Sequence, residues 1–236
     1  MLAKTRFTAA ISAISLLFVA TSACASVNKS VRIDDGEQSS GASSVNGKIT
    51  VGDSAVVTGS LTTVNGGIRI GSYSQVEDAS TVNGSLKLGA QVTGRDMTSV
   101  NGSISMKAGA KIDGEVSVVN GGISVDEGSS VSGEISNVNG DIEITGSDVG
   151  GDITTVTGDV MLENATLKAD LVIKEPKGNY SMKRKPRIVI GPGSSVAGEI
   201  RIEHDVDLYI SDTADVGSVS GVMSMDDAVR FSGSRP

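Results

Sequence analysis

Residues Val100 to Ser117 read VNGSIS MKAGAK IDGEVS, three blocks of six that each open on an aliphatic residue: Val100, Met106 and Ile112. The unit restarts at Val119 as VNGGIS VDEGSS VSGEIS, and it already runs upstream from Val45 as VNGKIT VGDSAV VTGSLT. Val-Asn pairs begin at residues 27, 45, 64, 82, 100, 119 and 138, and Val156-Thr157 continues them, so the unit recurs every 18 or 19 residues. A constant period near twenty residues is the signature of a solenoid.

Within a block the apolar residues sit two apart, as Ile104 and Met106 do, which is the periodicity of a strand. Val, Ile and Thr are frequent, as strands prefer, and Asn-Gly supplies the positive φ that a tight corner between strands requires. The expected fold is all-β: a single-stranded, three-sided parallel β-helix of about ten coils. Its hydrogen bonds run from coil to coil across about 4.8 Å. The aliphatic positions fill the prism, each worth about 1.5–3 kcal/mol when buried.

Residues 1–25 read as an export signal. Lys4 and Arg6 are the charged start, Ile11 to Ala20 the apolar run, and Ala23-Cys24-Ala25 a small-residue cleavage site. The run is too short for a good membrane span. A second reading makes Cys24 a lipidated anchor. Cleavage after Ala25 removes the only cysteine, and with it disulfide and thiol chemistry. It also takes the net charge from −8 to −10, which argues against a nucleic-acid partner. The expected location is the periplasm, with the extracellular space or a lipid anchor as alternatives. Phe231 is then the only phenylalanine and there is no tryptophan, a composition that suits a narrow aliphatic prism better than a globular core.

The β-helix is expected over residues 26–222. Its first coil, containing DDGEQSSGASS, reads as an irregular cap, and Gly94 and Gly150 stand in aliphatic slots and weaken the third side there. Asn28, Asn46, Asn65, Asn83, Asn101, Asn120 and Asn139 form one column, expected to stack as an asparagine ladder in a buried corner whose polar groups must be satisfied. The repeat breaks at 174–187, KEPKGNYSMKRKPR, an insertion that replaces one Asn-Gly corner. Its candidate interaction residues are Lys174, Lys177, Tyr180, Lys183, Arg184, Lys185 and Arg187, a basic arm on an acidic body suited to acidic envelope lipid or glycan. His204, between Glu203 and Asp205, is the only histidine. With no second histidine beside it, the reading is a polar corner and not a metal site. Residues 223–236 form a tail or cap in which Phe231 covers the open end.

No serine-nucleophile elbow, Walker loop or dinucleotide fingerprint is present, and neither a cofactor nor a metal is implied. GAKIDGEV (109–116), GSSVSGEI (128–135) and GSSVAGEI (193–200) resemble the bactofilins, bacterial polymer-forming proteins. NVNGDIEI (137–144) and TTVTGDVML (154–162) are similar to putative-adhesin β-helix domains of bacterial envelope proteins. The bactofilin resemblance implies a right-handed coil and end-to-end homopolymerisation without nucleotide. Bactofilins are cytoplasmic, so the export signal moves the expected role to the envelope. That role is a non-enzymatic scaffold. The alternatives are an adhesin-like binding module using 174–187 and, less favoured, a polysaccharide-active enzyme.

Overall fold

The computed structural model describes residues 24–176 and 184–236. Each turn contributes three short strands. Ile104–Met106, Lys111–Ile112 and Val116–Asn120 make one turn, and Ile123–Val125, Ser130–Val131 and Ile135–Asn139 make the next. Every strand lies parallel to its counterpart one turn on, Ile104 beside Ile123, Ile112 beside Val131 and Val116 beside Ile135. Stacking the turns builds three flat faces and a parallel β-solenoid of about ten turns. Face 1 holds 11 strands, from Val31–Ile33 to Val229–Phe231. Face 2 begins at Gln38–Ser39, and face 3 at Cys24–Ser26. Ser195–Ile202 runs without a break from face 2 into face 3. The described residues contain no α-helix, only a 3-10 turn at Met225–Asp227.

The prism is filled as strand alternation dictates. Face 1 points two aliphatics inward per turn, as at Ile68 and Ile70, Leu86 and Leu88, or Ile104 and Met106, and all are essentially inaccessible. Face 2 contributes one, such as Ile112 or Val131. Face 3 corrects the block reading. Val100 and its equivalents at 45, 64, 82, 119 and 138 point outward and are half-buried. The residue before each points in, and over much of the stack it is small and polar: Ser44, Thr63, Thr81 and Ser99. Their hydroxyls donate to the carbonyl of the corner residue below: Ser44 to Lys29 at 3.1 Å, Thr63 to Gly47 at 2.9 Å, Thr81 to Gly66 at 2.8 Å and Ser99 to Gly84 at 3.0 Å. A polar group inside the prism is tolerable because it is bonded there.

The aliphatic-slot reading also changes at two glycines. Gly94 does point inward, but the space a Cβ would occupy is taken by the end of the Met97 side chain, with Ile112 and Val76 alongside. Gly150 is exposed, and Val149 fills the slot. The first coil is a regular turn and not an irregular one. Val31–Ile33, Gln38–Ser39 and Ala42–Ser44 pair in register with Ile49–Val51, Val56–Val57 and Leu61–Thr63. Composition misleads there because Ala42 and Ser44 are small enough to serve as inward residues.

Positive φ is found at part of the expected corner, at Gly102, Gly121 and Gly140 (157°, 150° and 131°). Gly47, Gly66 and Gly84 do not adopt it. The left-handed column is at the corner between faces 1 and 2: Gly36, Ser54, Tyr73, Gln91, Gly109, Gly128, Gly146, Asn164 and Gly193, with φ between 49° and 74°. Left-handed backbone costs a residue with a Cβ about 1–2 kcal/mol, so this column mixes relaxed and strained positions. Ser54→Gly should stabilise the fold by about 0.5–1 kcal/mol, net of the extra freedom glycine gains when unfolded. Gly128→Ala, where the added Cβ meets nothing closer than 3.9 Å, should cost about 1 kcal/mol. Thermal melts of the two variants, shifting in opposite directions, check the assignment.

Candidate functional site

The asparagine column is a continuous amide ladder. Each Nδ2 donates to the Oδ1 one turn below: Asn46 to Asn28, Asn65 to Asn46 and Asn83 to Asn65 at 2.8 Å, Asn101 to Asn83 and Asn120 to Asn101 at 3.0 Å, and Asn139 to Asn120 at 2.9 Å. The Thr157 hydroxyl closes the upper end by donating to Asn139 Oδ1 at 2.7 Å. The ladder was expected in a buried corner, and it is on the surface: Asn28 through Asn120 are exposed. Each amide therefore keeps its second N–H and second lone pair for solvent. The glycine that follows each asparagine from Asn46 to Asn139 is required by crowding. A Cβ on Gly66 would overlap the Gly47 carbonyl, and one on Gly84 would overlap that of Gly66.

A second column, not foreseen from the sequence, runs up the edge between faces 2 and 3: Asp78, Asp96, Glu115, Glu134, Asp152, Asp170 and Glu199. Its signal was the recurring acidic residue that precedes the face 3 strands from Ala79–Asn83 onward. The aspartates are held by the fold. Asp96 Oδ1 accepts the Glu115 N–H at 2.9 Å, Asp152 Oδ1 that of Asp170 at 3.1 Å, and Asp170 Oδ1 that of Glu199 at 2.8 Å. Arg95 reaches Asp78 at 2.8 Å and Asp96 at 3.6 Å near one end. Arg201 reaches Asp170 at 3.3 Å and Glu199 at 3.2 Å near the other. Between them, burial and the like charges of Asp96 and Glu134 push the Glu115 carboxyl above its usual range.

The insertion leaves face 3 after Ile173 and rejoins face 1 at Arg187, so it does replace an Asn-Gly corner. Lys177, Tyr180 and Lys183 lie outside the described residues. The other basic residues are engaged with the rod. Lys174 donates its backbone N–H to Thr155 at 2.8 Å. Arg184 forms a fork on Asp159 at 2.7 and 3.0 Å, and the same carboxylate accepts the Arg187 N–H at 2.9 Å. Lys185 lies 3.4 Å from Asp205. The Arg187 guanidinium sits 4.9 Å above the Tyr209 ring and donates to the Pro236 carbonyl at 3.0 Å. A basic stretch on an acidic body is thus pinned by that body's own carboxylates.

His204 occupies the corner one turn beyond the insertion. Its Nε2 donates to the Val156 carbonyl at 2.9 Å, and Nδ1 is 3.1 Å from the Asp205 carbonyl. The chain has left the intervening corner, and the imidazole spans the gap. Glu203 accepts the Glu175 N–H at 3.1 Å. The three neighbours do not converge on one point, and among the described residues no three His, Cys, Asp or Glu side chains are placed to share a metal ion. Comparison with protein-family models, characterised proteins and solved structures finds no match to this chain. The β-solenoid itself is the shared ground with β-helix proteins generally.

Two outcomes follow from the columns. Asn101→Ala, mid-ladder, should cost about 0.5–1.5 kcal/mol, at the low end because the exposed neighbouring amides rehydrate, and Asn28→Ala should cost less, having one partner. Urea titration of both variants checks this, and equal losses would contradict a stacked column. For Glu115, the native chain holds its proton to a higher pH than the unfolded chain does. Stability therefore falls as pH rises through the window from the ordinary glutamate value to the raised one. Glu115→Gln should raise the melting temperature at neutral pH, with the gain vanishing below the ordinary carboxylate range. A melting series against pH reads it directly.

Proposed function

We propose that this chain is a non-enzymatic structural protein of the bacterial cell envelope, a stiff rod that associates end to end with copies of itself. The observation that carries the reading is how the repeated polar side chains are used. Asparagine bonds to asparagine, serine and threonine bond to corner carbonyls, and aspartate bonds to the next turn's N–H. Chemistry repeated evenly along a rod builds the rod and concentrates reactivity nowhere. The resemblance to bactofilins supports association through the ends, and the leader at residues 1–25 supports export to the periplasm.

The two ends differ. The C-terminal end is closed: Met223, Met225 and Ala228 pack on the core, Phe231 is buried, and Val229–Phe231 adds a last rung to face 1. The Ser224 N–H and hydroxyl both bond Asp227 at 2.8 Å, which holds that carboxyl below its usual range and secures the 3-10 turn. Val31–Ile33 and Gln38–Ser39 are the first rungs of faces 1 and 2, and a first rung offers one row of backbone groups to another chain. End contacts therefore run through the N-terminal turn. Recognition of acidic lipid or glycan by 174–187 is the weaker reading, because Arg184, Lys185 and Arg187 already have partners on the rod.

Light scattering and electron microscopy of the processed protein test this. Mass should grow with concentration. Val31→Pro, which removes a backbone donor, should reduce association while the β-sheet signal stays intact. Deleting residues 223–236 should lengthen the assemblies by opening the second end. A strictly monomeric rod at every concentration would sink the proposal.

A further inference from the structure

Face 3 presents its chemistry as an ordered lattice. Read across one turn, the outward groups are a carboxylate, a hydroxyl, a valine and an amide: Asp78, Ser80, Val82 and Asn83, then Asp96, Thr98, Val100 and Asn101 in the next turn, in register. The hydroxyl column runs Ser43, Thr62, Ser80, Thr98, Ser117, Ser136 and Thr154, and a valine stands two residues after each of the seven; Thr154 and Val156 are buried, as is Ser117, so the accessible strip covers the six turns from Ser43 to Val138. Some of the hydroxyls bond along the column, Ser80 to Thr62 at 3.4 Å and Ser136 to Ser117 at 3.0 Å. Within these two columns no charged side chain occurs over seven turns. On face 1 the outward column carries Arg32, Arg69, Lys87 and Glu143, and on face 2 it carries Lys111 and Asp148.

We propose that face 3 is a lateral docking surface for a second copy of this chain, the two rods lying side by side and parallel. The argument does not depend on the end contact. In a chain of net charge −8, this strip can be covered without burying an unpaired charge. A two-fold axis along the rod reverses the order of the columns. The hydroxyls of one copy then meet the valines of the other, and the carboxylate edge comes toward the asparagine ladder, whose spare N–H groups can donate to it. Both lattices repeat at the same rung, so one matched turn matches the others, the hydroxyls and valines over six turns and the carboxylates and amides over the four from Asp78 to Asn139. The opposite arrangement, with the axis perpendicular to the rods, would set carboxylate column against carboxylate column and be repelled. The lattice is about 29 Å long and about 15 Å wide, which gives about 900 Å² over both partners, just below the usual size of a specific interface. The pair is accordingly weak and forms at high local concentration. A glycan strand fits less well, because no aromatic side chain lies in the lattice to stack on a sugar ring.

Small-angle scattering with sedimentation equilibrium separates this contact from the end contact. A lateral pair doubles the mass at constant length and enlarges the cross-section, whereas an end-to-end pair doubles the length. Val100→Arg and Val119→Arg should each weaken the lateral pair by roughly tenfold or more, by placing a charge in the covered strip. Ser105→Arg, on face 1, should leave it unchanged. Circular dichroism checks that each variant folds, and Thr98→Glu on the neighbouring column replaces any that does not. Polarity is read with Val64→Cys in a Cys24→Ser background, treated with a short bifunctional thiol reagent. Parallel rods hold the two Val64 positions at the same height and yield a crosslinked dimer. Growth in length alone, pairing indifferent to all the face 3 charges, or crosslinking at Val100→Cys but not at Val64→Cys would each overturn the proposal.

Discussion

Every turn of this protein rests on the one below it through parallel backbone hydrogen bonds, and that spacing governs the rest. Strands stack about 4.8 Å apart, so each residue has its counterpart 18 or 19 positions away as a direct neighbour. A side chain that fits its own copy can recur without limit, and one that does not must be avoided, shortened or compensated. At the asparagine corner, turns approach so closely that a Cβ after the asparagine would enter the carbonyl below. Glycine is required there by crowding, and at Gly121 and Gly140 by positive φ as well.

The same rule explains why some columns stabilise and others strain. Primary amides are ideal in a column, because each has a donor on one side and an acceptor on the other, and the ladder from Asn28 to Asn139 uses them in a single direction. Carboxylates repel their own kind. The edge from Asp78 to Glu199 manages this by giving carboxylate oxygens to backbone N–H groups and by placing Arg95 and Arg201 near its two ends. Glu115 lies between those cations, and burial first, then the like charges of Asp96 and Glu134, raises its proton affinity.

Departures from the repeat fall where the rod must stop or change. The ladder closes at Thr157, the insertion leaves one turn later, and His204 bridges the corner that the insertion vacates. Arg184 and Arg187 share Asp159, which fastens the base of the excursion to the stack. The tail after Val222 then seals the prism with Met223, Met225 and Phe231. Phe231 closes the C-terminal end of the prism, as the single phenylalanine of that tail led one to expect.

The parallel β-solenoid, its three strands per turn, the asparagine ladder and the point of insertion were legible in the sequence, because periodicity survives projection onto one dimension. A column is simply a residue type recurring every 18 or 19 positions. What the period could not decide was phase: which residue of each unit points in. VNG opens on an aliphatic residue, yet Val100 faces outward and Ser99 inward. A hydroxyl there can bond a corner carbonyl, and a half-buried valine is at home on a flat sheet. Nor could the period show which corner is left-handed, since Ser54, Tyr73 and Gln91 occupy positions where glycine stands in other turns. Nor could it show that the basic residues of the insertion meet carboxylates 20 or more positions away. Those choices belong to the tertiary structure, because they depend on distances between turns, and a linear pattern fixes the spacing of residues but not the side of the sheet each one takes.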